Sequence, residues 1–230
     1  MTRVLQPELL DTLPADDPAA AASRRDLRRV NRWMGHRRIL RPAIGAAVPQ
    51  PPRRIVELGA GDGTLALQLA KRLSPAWRGV QLTLVDQQRL VSEATLAAFG
   101  ELGWAASVAT ADVFAWLQHE SVPCDLVFTN LFLHHFETRQ LRLLLAAVSE
   151  RTGAFVALEP RRRLFARWSC ELLWLIGCNR VTRHDARVSV AAGFHRAELS
   201  SLWPAGGGWR LHETPAGLFS HLFIACRHSA

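Results

Sequence analysis

Lysine is almost absent from this chain: 27 of its 28 basic side chains are arginine, and only Lys71 is lysine. The formal net charge of +8 invites a nucleic-acid reading. A chain-wide preference for arginine also follows from nucleotide composition, however, and the arginines are clustered. Arg24, Arg25, Arg28, Arg29, Arg32, Arg37, Arg38 and Arg41 form one group, and Arg161, Arg162 and Arg163 another. Nucleic acid is therefore a disfavoured partner. No CxxC pair occurs, so the widely spaced Cys124, Cys170, Cys178 and Cys226 suggest neither a disulfide framework nor a zinc site. Free thiols inside apolar runs fit a reducing compartment. No apolar run reaches the 18 or so residues that a membrane span needs. The acidic, proline-containing residues 1–18 lack the apolar segment of a secretory signal. A soluble cytoplasmic protein is the default expectation.

What is present is globular: 49% apolar and 21% charged residues over 230 positions, enough for one α/β domain with an N-terminal extension. Residues 1–50 read as the extension and 51–230 as the domain. Positions 1–22 look like a loose leader. From Ser23, a plausible N-cap, a helix is expected to about Ile44, with Leu27, Val30 and Met34 on one face. The run Val48-Pro49-Gln50-Pro51-Pro52 is a rigid linker. Strand and helix patterns then alternate. Strands are expected at 54–58, 80–85, 105–109, 125–130 and 154–159, with helices at 64–73, 90–99, 113–119 and 138–150 between them. That rhythm predicts a parallel sheet built from right-handed crossovers. The tail departs from it. Helices are expected over 164–176 and 181–192, followed by two terminal strands after Gly206-Gly207-Gly208.

The first strand runs into Glu57-Leu58-Gly59-Ala60-Gly61-Asp62-Gly63. Strand, glycine turn and helix place free backbone N–H groups beside a ligand. A dinucleotide fingerprint would need glycine at position 64, where the chain has Thr64. Pyrophosphate is thus not the expected guest. An acid at the strand end favours a ligand carrying a positive amino group. The strand Leu82–Val85 ends in Asp86, whose carboxylate can accept ribose hydroxyls and is followed by Gln87. Asp112, before Val113, can meet an adenine amino group or cap the next helix. The buried strand 124–130 ends in the polar Asn130, followed by Leu131.

In this order the four motifs resemble the class I S-adenosylmethionine (SAM)-dependent methyltransferases, over roughly residues 54–160. The resemblance implies a Rossmann-like sheet of seven strands, mostly parallel with the last antiparallel, and SAM as cofactor. It also implies that Glu57, Gly59, Ala60 and Gly61 line the methionine part. Asp86 and Gln87 would hold the ribose, Asp112 and Val113 the adenine, and Asn130 and Leu131 the sulfonium.

Methyl transfer is an in-line displacement that needs alignment and often a base. The acceptor should lie beyond Asn130, near Leu131-Phe132-Leu133-His134-His135-Phe136. His134 and His135 are the candidate bases, one to work and one to be structural, unless both merely cap or pack the following helix. This segment resembles the small-molecule branch, including quinone-type and polyketide-tailoring enzymes. The Asn/Asp-Pro-Pro-Tyr/Phe run of the base-methylating branches is missing. Arg161 is a candidate for steering an anionic or phenolate substrate. The helix around Asn31, Arg32, Trp33, Met34 and Arg37 occupies the place of a lid. His184 and His221 are lesser candidates. The sequence reading is therefore O-methylation of a hydrophobic phenolic or polyketide-like acceptor, with no metal. C-methylation of a quinone-type ring and a non-catalytic SAM-binding scaffold are the alternatives. The apolar run after Arg163 suggests a greasy acceptor or a homodimer contact.

Overall fold

The computed structural model describes residues 2–227 except 15, 121, 164–165, 167–169 and 171. Five parallel strands carry the centre of the sheet: β1 (Arg54–Leu58), β2 (Gln81–Asp86), β3 (Ala105–Thr110), β4 (Cys124–Asn130) and β5 (Thr152–Pro160). The terminal strands β6 (Trp209–Ala216) and β7 (Ser220–Arg227) complete seven in the order β3-β2-β1-β4-β5-β7-β6. Only β7 runs against its neighbours, pairing antiparallel with both β5 and β6. The Rossmann-like sheet with one antiparallel strand is thus the observed fold.

Central strands buried on both faces explain the short continuous apolar runs. The period of two divides them between two cores. Val156 and Leu158 of β5 face one layer with Leu40, Ile44, Leu69 and Phe99. Phe155 and Ala157 face the other with Leu141, Leu144, Leu145 and Trp203. The first layer is built by α3 (His36–Ala47), α4 (Thr64–Leu73) and α5 (Glu93–Glu101), and the second by α6 (Val113–His119), α7 (Thr138–Arg151) and the short α9 (Glu198–Leu202).

The N-terminal region differs from its sequence reading. The expected helix from Ser23 to Ile44 is two helices, α2 (Pro18–Trp33) and α3, broken at Gly35 with φ +73°. Asp17 is the N-cap, accepting from the Ala19 and Ala20 N–H groups, and Pro18 occupies the first turn. That pairing, followed by alanines with high helix propensity, starts the helix before Ser23. Ser23 instead lies inside it, buried, 2.9 Å from Thr182 Oγ1. The buried face of α2 is Ala20, Ser23 and Asp26 rather than Leu27, Val30 and Met34. Asp26 accepts from the Asn179 N–H (2.8 Å) and Thr182 Oγ1 (3.2 Å) at the start of α8 (Arg180–Ala192). A polar face therefore docks α2, and Leu27 is turned toward the crevice above the sheet.

The leader is not loose either. It contains a helical turn, α1 (Leu9–Thr12), whose Leu9 and Leu10 N–H groups donate to the Asp185 carboxylate (2.8 and 3.0 Å). Arg3 donates to the carbonyls of Ala192, Phe136 and His134 and stacks over Phe194 at 4.6 Å. The helix expected over 164–176 lies largely outside the described residues, Trp168 included; Leu172–Ile176 form a 3-10 turn.

Candidate active site

The carboxyl ends of β1, β2 and β4 open on a cavity of about 1260 Å³, roofed by α1, α2 and the α2–α3 elbow. Ligands of open α/β sheets bind at this position, where the strand order reverses. Gly59, Gly61 and Gly63 all have positive φ, so the loop between β1 and α4 curls under the cavity. A Cβ on Gly59 would lie 2.3 Å from Phe132 Cδ2, which leaves only glycine there. The loop is held to β2 by three bonds. Gly59 and Ala60 donate to the Val85 carbonyl, and Gly61 N–H donates to Asp86 Oδ2 (2.8 Å).

Glu57, Gly59, Ala60, Gly61, Asp86, Gln87, Asp112, Val113, Asn130 and Leu131 all line this one cavity. Glu57 is 2% exposed and its Oε2 has no hydrogen-bond partner. Burial first, and then the charges of Asp62 and Asp86, push its carboxyl well above the usual range. A buried acceptor of this kind calls for a cationic donor. The amino group of SAM's methionine moiety would supply one. Asp86 Oδ2 accepts from Gly61 and Oδ1 from the Gln88 N–H (2.9 Å), which leaves lone pairs on both oxygens for ribose hydroxyls. Asp112 is the N-cap that its sequence allowed, and it lines the cavity as well. Its Oδ1 caps α6, accepting from Phe114 and Ala115, while its Oδ2 lies 3.3 Å from Gln87 Nε2 at the cavity wall. Asn130 Oδ1 is buried without a partner, and Leu131 beyond it has φ +55°, a strained turn for a leucine. The unpartnered Glu57 Oε2 and the free lone pairs of Asp86 fit the ammonium and ribose groups that SAM would bring.

The two adjacent histidines separate. His135 lines the cavity, with Nδ1 3.3 Å from Asp11 Oδ2. His134 is 3% exposed and does not line it. Its Nδ1 lies 2.8 Å from Glu159 Oε2 and its Nε2 3.3 Å from Glu8 Oε1. Burial alone would lower its pKa, but the hydrogen bonds to Glu159 and Glu8 outweigh this and raise it to about 9. Glu8 shows the complement: burial raises its carboxyl, and bonding to His134 brings it down to about 2. Glu159 also accepts the N–H groups of Phe132, Leu133 and His134. Glu8, His134 and His135 offer donor atoms within 4.8 Å of one another, as a metal site would. A His134 protonated between two carboxylates accounts for the arrangement without an ion.

Arg161 is not among the cavity-lining residues; its backbone N–H donates to the carbonyl of Phe219 (2.7 Å) in the turn between β6 and β7. His184 pairs with Asp185 (3.1 Å), and buried His221 with Glu213 (2.7 Å). The helix expected as a lid borders the cavity through Leu27, Arg28, Asn31 and Arg32. Arg28 pairs with Asp62 of the glycine loop (2.5 Å), and Arg24 donates to Gln88 (3.0 Å). Sequence reasoning missed Asp11 and His36, and it named Asn31 only as part of the expected lid. Asp11 sat in the supposed leader. Asn31 Oδ1 is buried and unpartnered. His36 is wholly buried beside Asn130, its pKa lowered by burial to about 4, and lies 3.4 Å from Ser220 Oγ. A polar residue flanking a helix break was the available signal for His36.

Residues 55–152 match the family described as methyltransferase domain. A tRNA1(Val) (adenine(37)-N6)-methyltransferase of Shigella boydii is 36% identical over 83 residues, which is 34% of this chain and 31% of that protein. The chain thus matches about a third of the length of such curated relatives. Among solved structures, the plantazolicin methyltransferase BpumL in complex with S-adenosylhomocysteine (SAH) superposes with a TM-score of 0.64 at 14% identity, covering 93% of this chain and 92% of that one. An O-methyltransferase family protein from Burkholderia thailandensis gives 0.54 at 19% identity, over 77% and 52% of the two chains. With the sheet order, the glycine loop and the unpartnered Glu57 carboxyl, these matches identify a methyltransferase domain over residues 55–152 and give the chain the fold of the SAM-dependent methyltransferases.

Proposed function

We propose that the protein methylates a hydroxyl oxygen of a small, largely apolar acceptor of phenolic or polyketide-like type. The acceptor oxygen attacks the SAM methyl carbon, the carbon–sulfur bond breaks, SAH departs, and His135 takes the hydroxyl proton. The observation that carries the reading is His135 on the wall of the same cavity as Glu57, Asp86, Asp112 and Asn130, with Asp11 beside its Nδ1. A carboxylate there supports the imidazolium that forms. Leu131, Phe132 and Phe136 supply an apolar bed beyond Asn130. The O-methyltransferase family neighbour has the same fold. Adenine methylation by the tRNA-modifying relative is disfavoured for this chain, because Asn130-Leu131-Phe132-Leu133 lacks the prolines of that branch.

Labelled SAM and an extract of the host, analysed by mass spectrometry, identify the methylated product. Replacing His135 with glutamine should lower turnover by about 10²- to 10⁴-fold with SAM affinity unchanged. Full activity in that variant removes the base from the scheme. SAM binding with no methylated product in any extract would leave a scaffold.

A further inference from the structure

We propose that the acceptor bears an oxyanion, a carboxylate or a phosphate, received by Arg32, Arg37 and Arg38 at the α2–α3 elbow. The proposal rests on the reading of this cavity as the acceptor site, and it names the class of acceptor.

Six guanidinium groups line the cavity, and they fall into two sets. Arg28 is tied to Asp62, Arg29 to Asp26, and Arg24 to Gln88. These three hold the roof in place. Arg32, Arg37 and Arg38 have no ion pair among the described residues. All three sit around one break, Met34-Gly35, where the left-handed Gly35 turns α2 into α3. The cavity's carboxylates are already assigned elsewhere. Glu57, Asp86 and Asp112 lie on the cofactor wall, Asp62 holds Arg28, and Asp11 faces His135.

The acceptor end therefore carries net positive charge, with little to neutralise it from within the protein. Arginine forks suit planar, bidentate oxyanions, and such bonds are charge-assisted. The same cavity also has an aromatic wall: Phe136 meets Phe114 and Phe132 edge-on, with ring centroids 5.6 and 5.0 Å apart. An apolar body with an anionic end matches both surfaces. Arg161, the sequence-based candidate for steering an anion, does not line the cavity. The three unpaired arginines stand where that role is needed. SAM's own carboxylate can engage one guanidinium, so the test is run with that demand already filled.

The SAH-loaded protein is titrated with 4-hydroxybenzoate, phenyl phosphate and the uncharged 4-hydroxybenzamide, followed by ligand-observed NMR. The acid or the phosphate should bind at least tenfold more tightly than the amide, and the advantage should shrink as salt rises. Whichever anion leads identifies the oxyanion. In R37Q/R38Q, with SAH kept saturating, the advantage should vanish; R32Q should reduce it in part. Equal affinities for all three probes, or a preference retained in R37Q/R38Q, would overturn the proposal. So would tight RNA binding that the acids do not displace. If SAH fails to bind, the methyltransferase reading falls. The same titration of SAH-free protein then still decides the anion site, because the arginines belong to α2 and α3.

Discussion

Glu57 faces a conflict that a ligand resolves. Its carboxyl is buried, has one oxygen without a partner, and sits in the field of Asp62 and Asp86. Each of these disfavours the charged form, so in the free protein the group holds its proton to a pH well above the normal carboxylate value. An ammonium group placed against Oε2 reverses the balance and favours the ionised form. SAM binding should therefore release a proton when measured below that raised value. Calorimetry at pH 6 in two buffers of different ionisation enthalpy reads this directly. The apparent binding heats should differ between buffers for the native protein and converge for Glu57→Gln, which should also bind SAM more weakly. Identical heats in the native protein would place the ammonium elsewhere.

Between β1 and α4 the same logic works on a whole loop. Gly59 and Gly61 share a left-handed backbone, but their surroundings differ. A Cβ at Gly59 meets the Phe132 ring at 2.3 Å, whereas one at Gly61 finds nothing within 4 Å. Gly61→Ala should bear only the conformational penalty, about 1–2 kcal/mol. Gly59→Ala must also move Phe132, and with it the turn that carries His135. SAM affinity and turnover should both fall further in Gly59→Ala, and equal losses would refute the coupling. The difference also shows what the sequence could convey. The glycine spacing, Glu57 and Asp86 were legible because they belong to a local strand–loop–helix pattern. The parallel strands were legible because burial on both faces leaves continuous apolar runs. The N-terminal region was not. Arg3 reaches Ala192, Glu8 reaches His134 and Ser23 reaches Thr182, and no local periodicity encodes such distant polar pairs. The polar docking face of α2 hid behind the more obvious apolar residues Leu27, Val30 and Met34. Those three, expected to share one face, are only partly buried, and Leu27 lines the site.

Across the molecule two buried histidines pull stability in opposite directions with pH. His134 joins three parts of the chain: Glu8 from the N-terminal segment, Glu159 from β5, and its own turn after β4. Its folded pKa of about 9 lies above the ordinary 6.5. The stabilisation is fully present below 6.5 and is lost as pH rises through 9. His36 has the reverse sign. Its folded pKa of about 4 means that stability present above 6.5 is lost as pH falls toward 4. The lowered carboxyls of Glu8 and Glu159 add to the loss below 4.5. Thermal stability should accordingly peak near pH 6.5 and decline on both sides. The chain suits this measurement, because it has no tyrosine and a single lysine, and burial raises the Cys124 thiol to about 11. Glu57, whose raised carboxyl also loses stability as pH rises, is the main other contributor to the alkaline limb. Glutamine at position 134 keeps one amide donor but cannot carry the charge that two buried carboxylates require. That variant should lose about 3–5 kcal/mol at pH 6.5, typical of a broken buried ion pair. Its unfolding temperature should then fall less between 6.5 and 9 than that of the native protein, while the acid limb governed by His36 persists. A native protein whose unfolding temperature does not fall from pH 6.5 to 9 would show that His134 is not the charged tie between Glu8 and Glu159. An alkaline decline that survives His134→Gln undiminished would assign that decline to another group.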